Sequence, residues 1–83
     1  MTTRSKQETW PPVSGDLCKV LFPSSIRIYT SDEMFYGTTE PMRAGDTVAL
    51  VVASVDDPVI GRACLIVTAG NVGWLEVGYL VTL

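Results

Sequence analysis

The chain has 83 residues and contains no histidine. Histidine performs most proton transfer near neutral pH, so its absence excludes Ser-His-Asp and Cys-His catalysis. It also excludes zinc sites that need an imidazole ligand, and two cysteines are too few to complete a four-ligand site. No nucleophile and no glycine-rich phosphate loop accompanies the acidic residues. The sequence therefore predicts a protein that is not an enzyme and that holds no metal and no cofactor.

Clustered positive charge and long apolar runs are also scarce. The six basic residues are scattered along the chain, and the formal net charge is -3. Because nucleic-acid binding relies on clustered Lys and Arg, this charge pattern disfavours nucleic acid and anionic membrane surfaces as partners. The longest apolar run, residues 47–55, is well short of the ~18 residues that a membrane helix needs. The polar N-terminus leads into no apolar segment of a secretory signal, which favours a cytoplasmic protein.

The composition and the pattern of apolar residues indicate one small domain built from β-strands. Apolar residues make up 47% of the chain, too many for a disordered protein. Residues 1–13 are largely polar and include Pro11-Pro12 near their end, which predicts a flexible N-terminal tail, with the domain over residues 14–83. Short apolar runs separated by turn residues predict strands at 17–22, 47–55, 62–68, 72–77 and 81–83, with a half-buried segment at 26–29. Five strands favour a small barrel, because closure removes exposed strand edges.

Cysteines and paired acids each allow a structural and a functional interpretation. Cys18 and Cys64 lie inside apolar runs, and buried thiols are favoured over a disulfide. The pairs at residues 32–33 and 56–57 lack the spacing of a calcium loop, so solvated turn residues are favoured over a metal site. Gly73 predicts a bulge or a close approach of another backbone.

Four segments carry a resemblance to a known family. They are Ile26-Arg27-Ile28-Tyr29, Pro41-Met42-Arg43-Ala44-Gly45-Asp46-Thr47-Val48, Asn71-Val72-Gly73-Trp74-Leu75 and Tyr79-Leu80. In this order they resemble bacterial and phage SH3-like domains, over about residues 16–83, and Gly73-Trp74 is the most specific part. The resemblance implies an all-β, five-stranded SH3-like barrel, with a long hairpin loop after residue 29 and a tight turn before the last strand. The Ala-Leu-Tyr-Asp-Tyr segment of the eukaryotic signalling type is missing, so polyproline binding is not implied.

The resemblance also suggests where a partner binds. Aromatic side chains of the long loop, with one from the hairpin, can line the groove beside that loop: Tyr29, Phe35, Tyr36 and Trp74. The alternative is that the loop aromatics and Trp74 only cover the small core. We therefore expect a non-enzymatic interaction module that binds a protein or peptide. It resembles phage-encoded proteins most, which allows a cytoplasmic or a virion location. Two alternatives are a self-associating structural or assembly protein of a virion or ring and, more weakly, a nucleic-acid-binding Tudor- or KOW-like barrel.

Overall fold

Residues 11–30, 37–58 and 61–83 are described by a computed structural model. They form seven strands: β1 (Leu17–Val20), β2 (Arg27–Tyr29), β3 (Thr39–Pro41), β4 (Val48–Asp57), β5 (Gly61–Val67), β6 (Val72–Glu76) and β7 (Leu80–Thr82). Two short 3-10 turns, Pro23–Ser25 and Val77–Tyr79, precede β2 and β7. The described residues contain no α-helix, so the prediction of an all-β domain is confirmed.

The strands form one antiparallel sheet in the order β3-β2-β6-β5-β4-β1-β7. The described residues form seven strands where the sequence predicted five, and among them the two outer strands do not pair with each other. One difference is the segment at 26–29, which forms a true strand, and the other is β3. Its sequence, Thr-Glu-Pro, contains residue types that are depleted in strands, although proline is tolerated on an edge strand like this one.

Two turns of the same design lead into neighbouring strands. In residues 13–16 the N–H of Asp16 donates to the carbonyl of Val13 (3.0 Å), and the N–H of Val13 donates to Asp16 Oδ2 (2.9 Å). In residues 43–46 the N–H of Asp46 donates to the carbonyl of Arg43 (2.9 Å), and the N–H of Arg43 donates to Asp46 Oδ2 (2.9 Å). Both turns end in Gly-Asp, and they start β1 and β4, which pair with each other.

The core lies on one face of the sheet and draws on nearly every strand. Its buried members are Cys18, Val20, Ile28, Met42, Ala49, Val51, Cys64, Ile66, Leu75 and Leu80. β2 and β7 lie five strand spacings apart in the sheet order, which is about 24 Å in a flat sheet. Because Ile28 of β2 and Leu80 of β7 belong to the same core, the sheet must be strongly curved. A bulge between Val51 and Ala53 allows β4 to bend within this curve.

Both cysteines are free and fully buried, which confirms their prediction as buried thiols. The domain boundary predicted after residue 13 stays a prediction, since residues 1–10 lie outside the described residues. Pro12 is buried, and its carbonyl lies 4.0 Å from the sulfur of Cys64. In the part of the chain that the structure describes, no helix has the length and apolar character needed to cross a membrane.

Candidate functional site

A groove opens where β2 and β3 meet the end of β6 and the second 3-10 turn. Its volume is about 280 Å³, and its lining residues are Ser25, Ile26, Arg27, Tyr29, Thr39, Glu76 and Tyr79. Pockets for drug-sized ligands occupy roughly 300–1,000 Å³, so this groove falls just below that range. Its size suits one or two side chains of a bound polypeptide segment.

Gly73 brings β2 against β6 and so builds one wall of the groove. A Cβ at position 73 would overlap the carbonyl oxygen of Tyr29 and would lie 2.9 Å from Ile28 Cγ1. Only glycine leaves room for the two backbones to approach this closely. The register of β6 with β5 is continuous through Gly73, so the prediction of a close backbone approach is confirmed, and no bulge occurs there. As a result Tyr29 and Trp74 are directly opposed cross-strand neighbours.

Two residues of opposite charge, Arg27 and Glu76, line the groove. Arg27 Nε donates to Thr39 Oγ1 (2.8 Å), and Arg27 Nη2 donates to the carbonyl of Thr39 (3.2 Å). These bonds join β2 to β3 and hold the guanidinium in place. Glu76, on the same side of β6 as Trp74, makes no ion pair within residues 11–30, 37–58 and 61–83. The groove is therefore lined by a hydrogen-bonded cation and by a carboxylate without an ion-pair partner among the described residues.

Two further aromatic residues, Tyr79 and Phe22, lie at this end of the domain. Tyr79 lines the groove from the second 3-10 turn and is more than one third exposed. The N–H of Leu21 donates to the carbonyl of Tyr79 (2.9 Å), which places the following residue, Phe22, at the same end of the domain. Phe22 is 75% exposed and has left-handed backbone angles (φ 50°, ψ 51°), which are unfavourable for a bulky side chain. An exposed aromatic residue held in a strained conformation is a common feature of binding surfaces.

The predicted site residues have different outcomes. Tyr29 lines the groove, and Trp74 lies beside it as a half-buried neighbour outside the lining itself. Phe35 and Tyr36 lie outside the described residues. Sequence reasoning did not select Tyr79 or Phe22. The signal for Tyr79 was its place in the predicted tight turn. The left-handed backbone of Phe22 has no sequence signature, because a following proline favours extended backbone instead.

Asp46 lies outside the lining of the groove, and its carboxylate accepts four hydrogen bonds. Its Oδ2 accepts from the N–H of Arg43 (2.9 Å) and from Asn71 Nδ2 (2.7 Å). Its Oδ1 accepts from Thr68 Oγ1 (2.7 Å) and from the N–H of Gly70 (3.0 Å). Burial raises the pKa of this carboxyl, but the four donors outweigh burial and lower the pKa from 3.8 to about 2. Asp46 is therefore a buried anion that ties the turn before β4 to the turn between β5 and β6.

The other ionisable groups of the described residues form one exposed ion pair and no metal-binding cluster. No three Cys, Asp or Glu side chains of the described residues come together where they could hold a metal ion. Asp56 accepts from Arg62 Nε (2.9 Å) across the β4–β5 pair, and this ion pair is exposed. Asp32 and Glu33 lie outside the described residues.

A comparison of the chain with family models, with curated proteins and with solved structures found no match.

Proposed function

We propose that this chain is a non-enzymatic protein-interaction module of the SH3-like class, which binds a segment of another protein in the groove between Tyr29 and Tyr79. The observation that carries the proposal is the groove itself. It combines aromatic side chains, an arginine hydrogen-bonded to Thr39, and a glutamate that has no ion-pair partner among the described residues, on an antiparallel sheet. Such combinations of aromatic anchors and a few polar groups are typical of peptide-binding surfaces.

The order of the strands supports the SH3-like class. β4, β5 and β6 follow one another as a meander, and β7 returns after a 3-10 turn to pair with β1. Between β1 and β4 the chain makes the β2–β3 hairpin, which packs on β6. A long hairpin after the first strand and a short turn before the last strand are the two features that the resemblance implies. On this proposal β7-β1-β4-β5-β6 form the five-stranded barrel, and β2 and β3 are the arms of its long loop.

The chemistry of the groove supports a polypeptide ligand. Its volume is small for a cofactor, and its polar groups come from side chains rather than from a phosphate-binding glycine loop. Tyr29 and Tyr79 offer rings with polar tips, which contribute contact area at a low cost in conformational entropy. Phe22, at the same end of the domain as Tyr79, adds a largely exposed apolar side chain. A partner segment with one apolar and one basic residue would satisfy these rings and Glu76.

The proposal is tested by selection from a random peptide library displayed on phage, with the purified protein as the target. Affinities of an enriched peptide are then measured by fluorescence anisotropy for the wild type and for Tyr79→Ala. We expect Tyr79→Ala to weaken binding by at least about tenfold, as is usual for a central aromatic anchor. Tyr79→Phe keeps the ring and is expected to retain most of the affinity.

Val55→Ala serves as the control, because Val55 is an exposed apolar residue of β4 that does not line the groove. The proposal is contradicted by a selection that enriches no peptide over the bare support. It is equally contradicted if Tyr79→Ala and Val55→Ala have the same small effect. Thermal unfolding of each variant separates a lost contact from a lost fold.

A further inference from the structure

The face of the sheet opposite the core carries a continuous band of exposed aliphatic side chains. The strand register aligns Leu17 with Leu50, Leu50 with Val67, and Val67 with Val72, so these residues form one row across β1, β4, β5 and β6. A second row aligns Val81 with Lys19 and Lys19 with Val48. Neighbours in such rows lie about 5 Å apart. We call the whole set the aliphatic face: Leu17, Val48, Leu50, Val52, Val67, Val72 and Val81.

Strand propensity alone does not account for this composition. Valine is favoured at exposed strand positions because its branched side chain suits the pleated backbone, but leucine is not. An antiparallel sheet with one solvated side normally alternates apolar and polar residues, and here the outward positions of β1 and β4 carry Leu17, Val48 and Leu50. Among the described residues whose register places them within the face, Lys19 carries the only charge. Its aliphatic stem can lie along apolar neighbours while the ammonium group reaches the rim.

The area of the face matches what a stable protein interface needs. Each member is 38–60% exposed, and together they present on the order of 500 Å² of apolar surface. A standard interface buries about 800 Å² on each partner, of which roughly 60% is apolar, or about 500 Å². The largest apolar patch on a typical monomer covers about 300–600 Å² and often has a binding role, and the aliphatic face falls within this range. The face has no residue in common with the groove.

We infer that a second copy of this chain covers the aliphatic face. A homodimer interface is more apolar than other interfaces and places the same patch on both subunits, which an aliphatic surface with one charge satisfies without a complementary partner. A nucleic acid or an anionic membrane would require several cations, and the face supplies one. This inference does not depend on which ligand the groove binds, because the aliphatic face and the lining of the groove have no residue in common.

The test is analytical ultracentrifugation of the full chain between about 1 and 100 μM, a range that covers typical reversible dimers. We expect the wild type to sediment as a concentration-dependent dimer. Leu50→Lys is expected to raise the dimer dissociation constant at least about tenfold, because an unpaired ammonium group would be buried in an apolar interface. Val55→Lys is the matched control: it adds the same charge to the same strand at nearly equal exposure, 40% against 42%, outside the face.

A wild type that stays monomeric at the highest concentration overturns the inference and leaves another protein or a lipid as the occupant of the face. The inference is also overturned if Leu50→Lys still dimerises normally, or if Val55→Lys dissociates the dimer equally. Circular dichroism checks that each variant is folded. Val72→Lys, at the most exposed position of the face (60%), provides a second variant on a different strand and must weaken the dimer in the same way.

Discussion

Replacement of Asp46 by asparagine removes one buried negative charge and keeps the size of the side chain. In the wild type each carboxylate oxygen accepts two hydrogen bonds, and Asp46 is only 1% exposed. The side-chain nitrogen of asparagine is a donor and would replace one of these accepting oxygens. The groups that now donate to that oxygen would then lose their acceptor. A buried donor without an acceptor costs about 1–3 kcal/mol.

The magnitude follows from the pKa of the carboxyl. Although burial alone would raise it, hydrogen bonds from Arg43, Thr68, Asn71 and Gly70 lower the pKa of Asp46 from 3.8 to about 2. One pKa unit corresponds to 1.36 kcal/mol, so the ionised side chain stabilises the fold by about 2 kcal/mol. Because the pKa is lower in the folded state, this stabilisation is complete well above pH 3.8. It is lost as the pH falls through about 2.

The assay is urea unfolding, monitored by tryptophan fluorescence, of the wild type and Asp46→Asn at pH 7, 4 and 2. At pH 7 we expect Asp46→Asn to lower the free energy of unfolding by at least about 2 kcal/mol, a large share of the stability of a domain this small. At pH 2 the difference between the two proteins should shrink by about 2 kcal/mol, because the wild type then loses the same charge. All other acids titrate in both proteins and cancel. A difference that stays constant from pH 7 to pH 2 would refute the reasoning.

Three further predictions concern single residues. Gly73→Ala places a Cβ against the backbone of Tyr29, so we expect a loss of about 3 kcal/mol or more in urea unfolding; a loss below 1 kcal/mol would contradict the close contact of β2 with β6. Phe22→Asn suits the left-handed backbone and is expected to raise stability by up to about 1 kcal/mol while it weakens binding of a selected peptide; lower stability or unchanged affinity would count against the assigned role. Burial is the main cause, and the nearby Cys18 the second, that raises the pKa of Cys64 to about 11. A thiol reagent at pH 8 should therefore modify neither cysteine of the folded protein, and should modify both in urea. Rapid labelling of either thiol without urea would disprove this.

The strands could be predicted wherever one side faces the core and the run is long enough to show a pattern. β4 and β5 are rich in β-branched residues and appeared close to their observed bounds. β3 has three residues, one of them proline, and it pairs in register with Arg27–Tyr29 of β2. Its existence depends on tertiary pairing, which a local pattern does not contain.

The candidate site was likewise only partly predictable from the sequence. The Gly73-Trp74 pair indicated a close approach of two backbones, and Tyr29 lies directly across from Trp74. The groove itself depends on how the second 3-10 turn packs beside β2, and no spacing in the sequence brings Tyr79 near Tyr29. The role of Asp46 could not be predicted for a related reason. A Gly-Asp turn is predictable, but its contacts with the turn at residues 68–71 join segments more than 20 residues apart.

The central claim is that the groove between Tyr29 and Tyr79 binds a segment of another protein, and chemical-shift mapping tests it most directly. A ¹⁵N-labelled sample is titrated with a peptide enriched from the displayed library, and the shifts of each backbone amide are followed. We predict the largest shifts at residues 25–29 and 76–79 and at the indole N–H of Trp74, with little change at Leu50 and Val67. Shifts confined to the aliphatic face, or spread evenly over the sheet, would contradict the groove as the binding site.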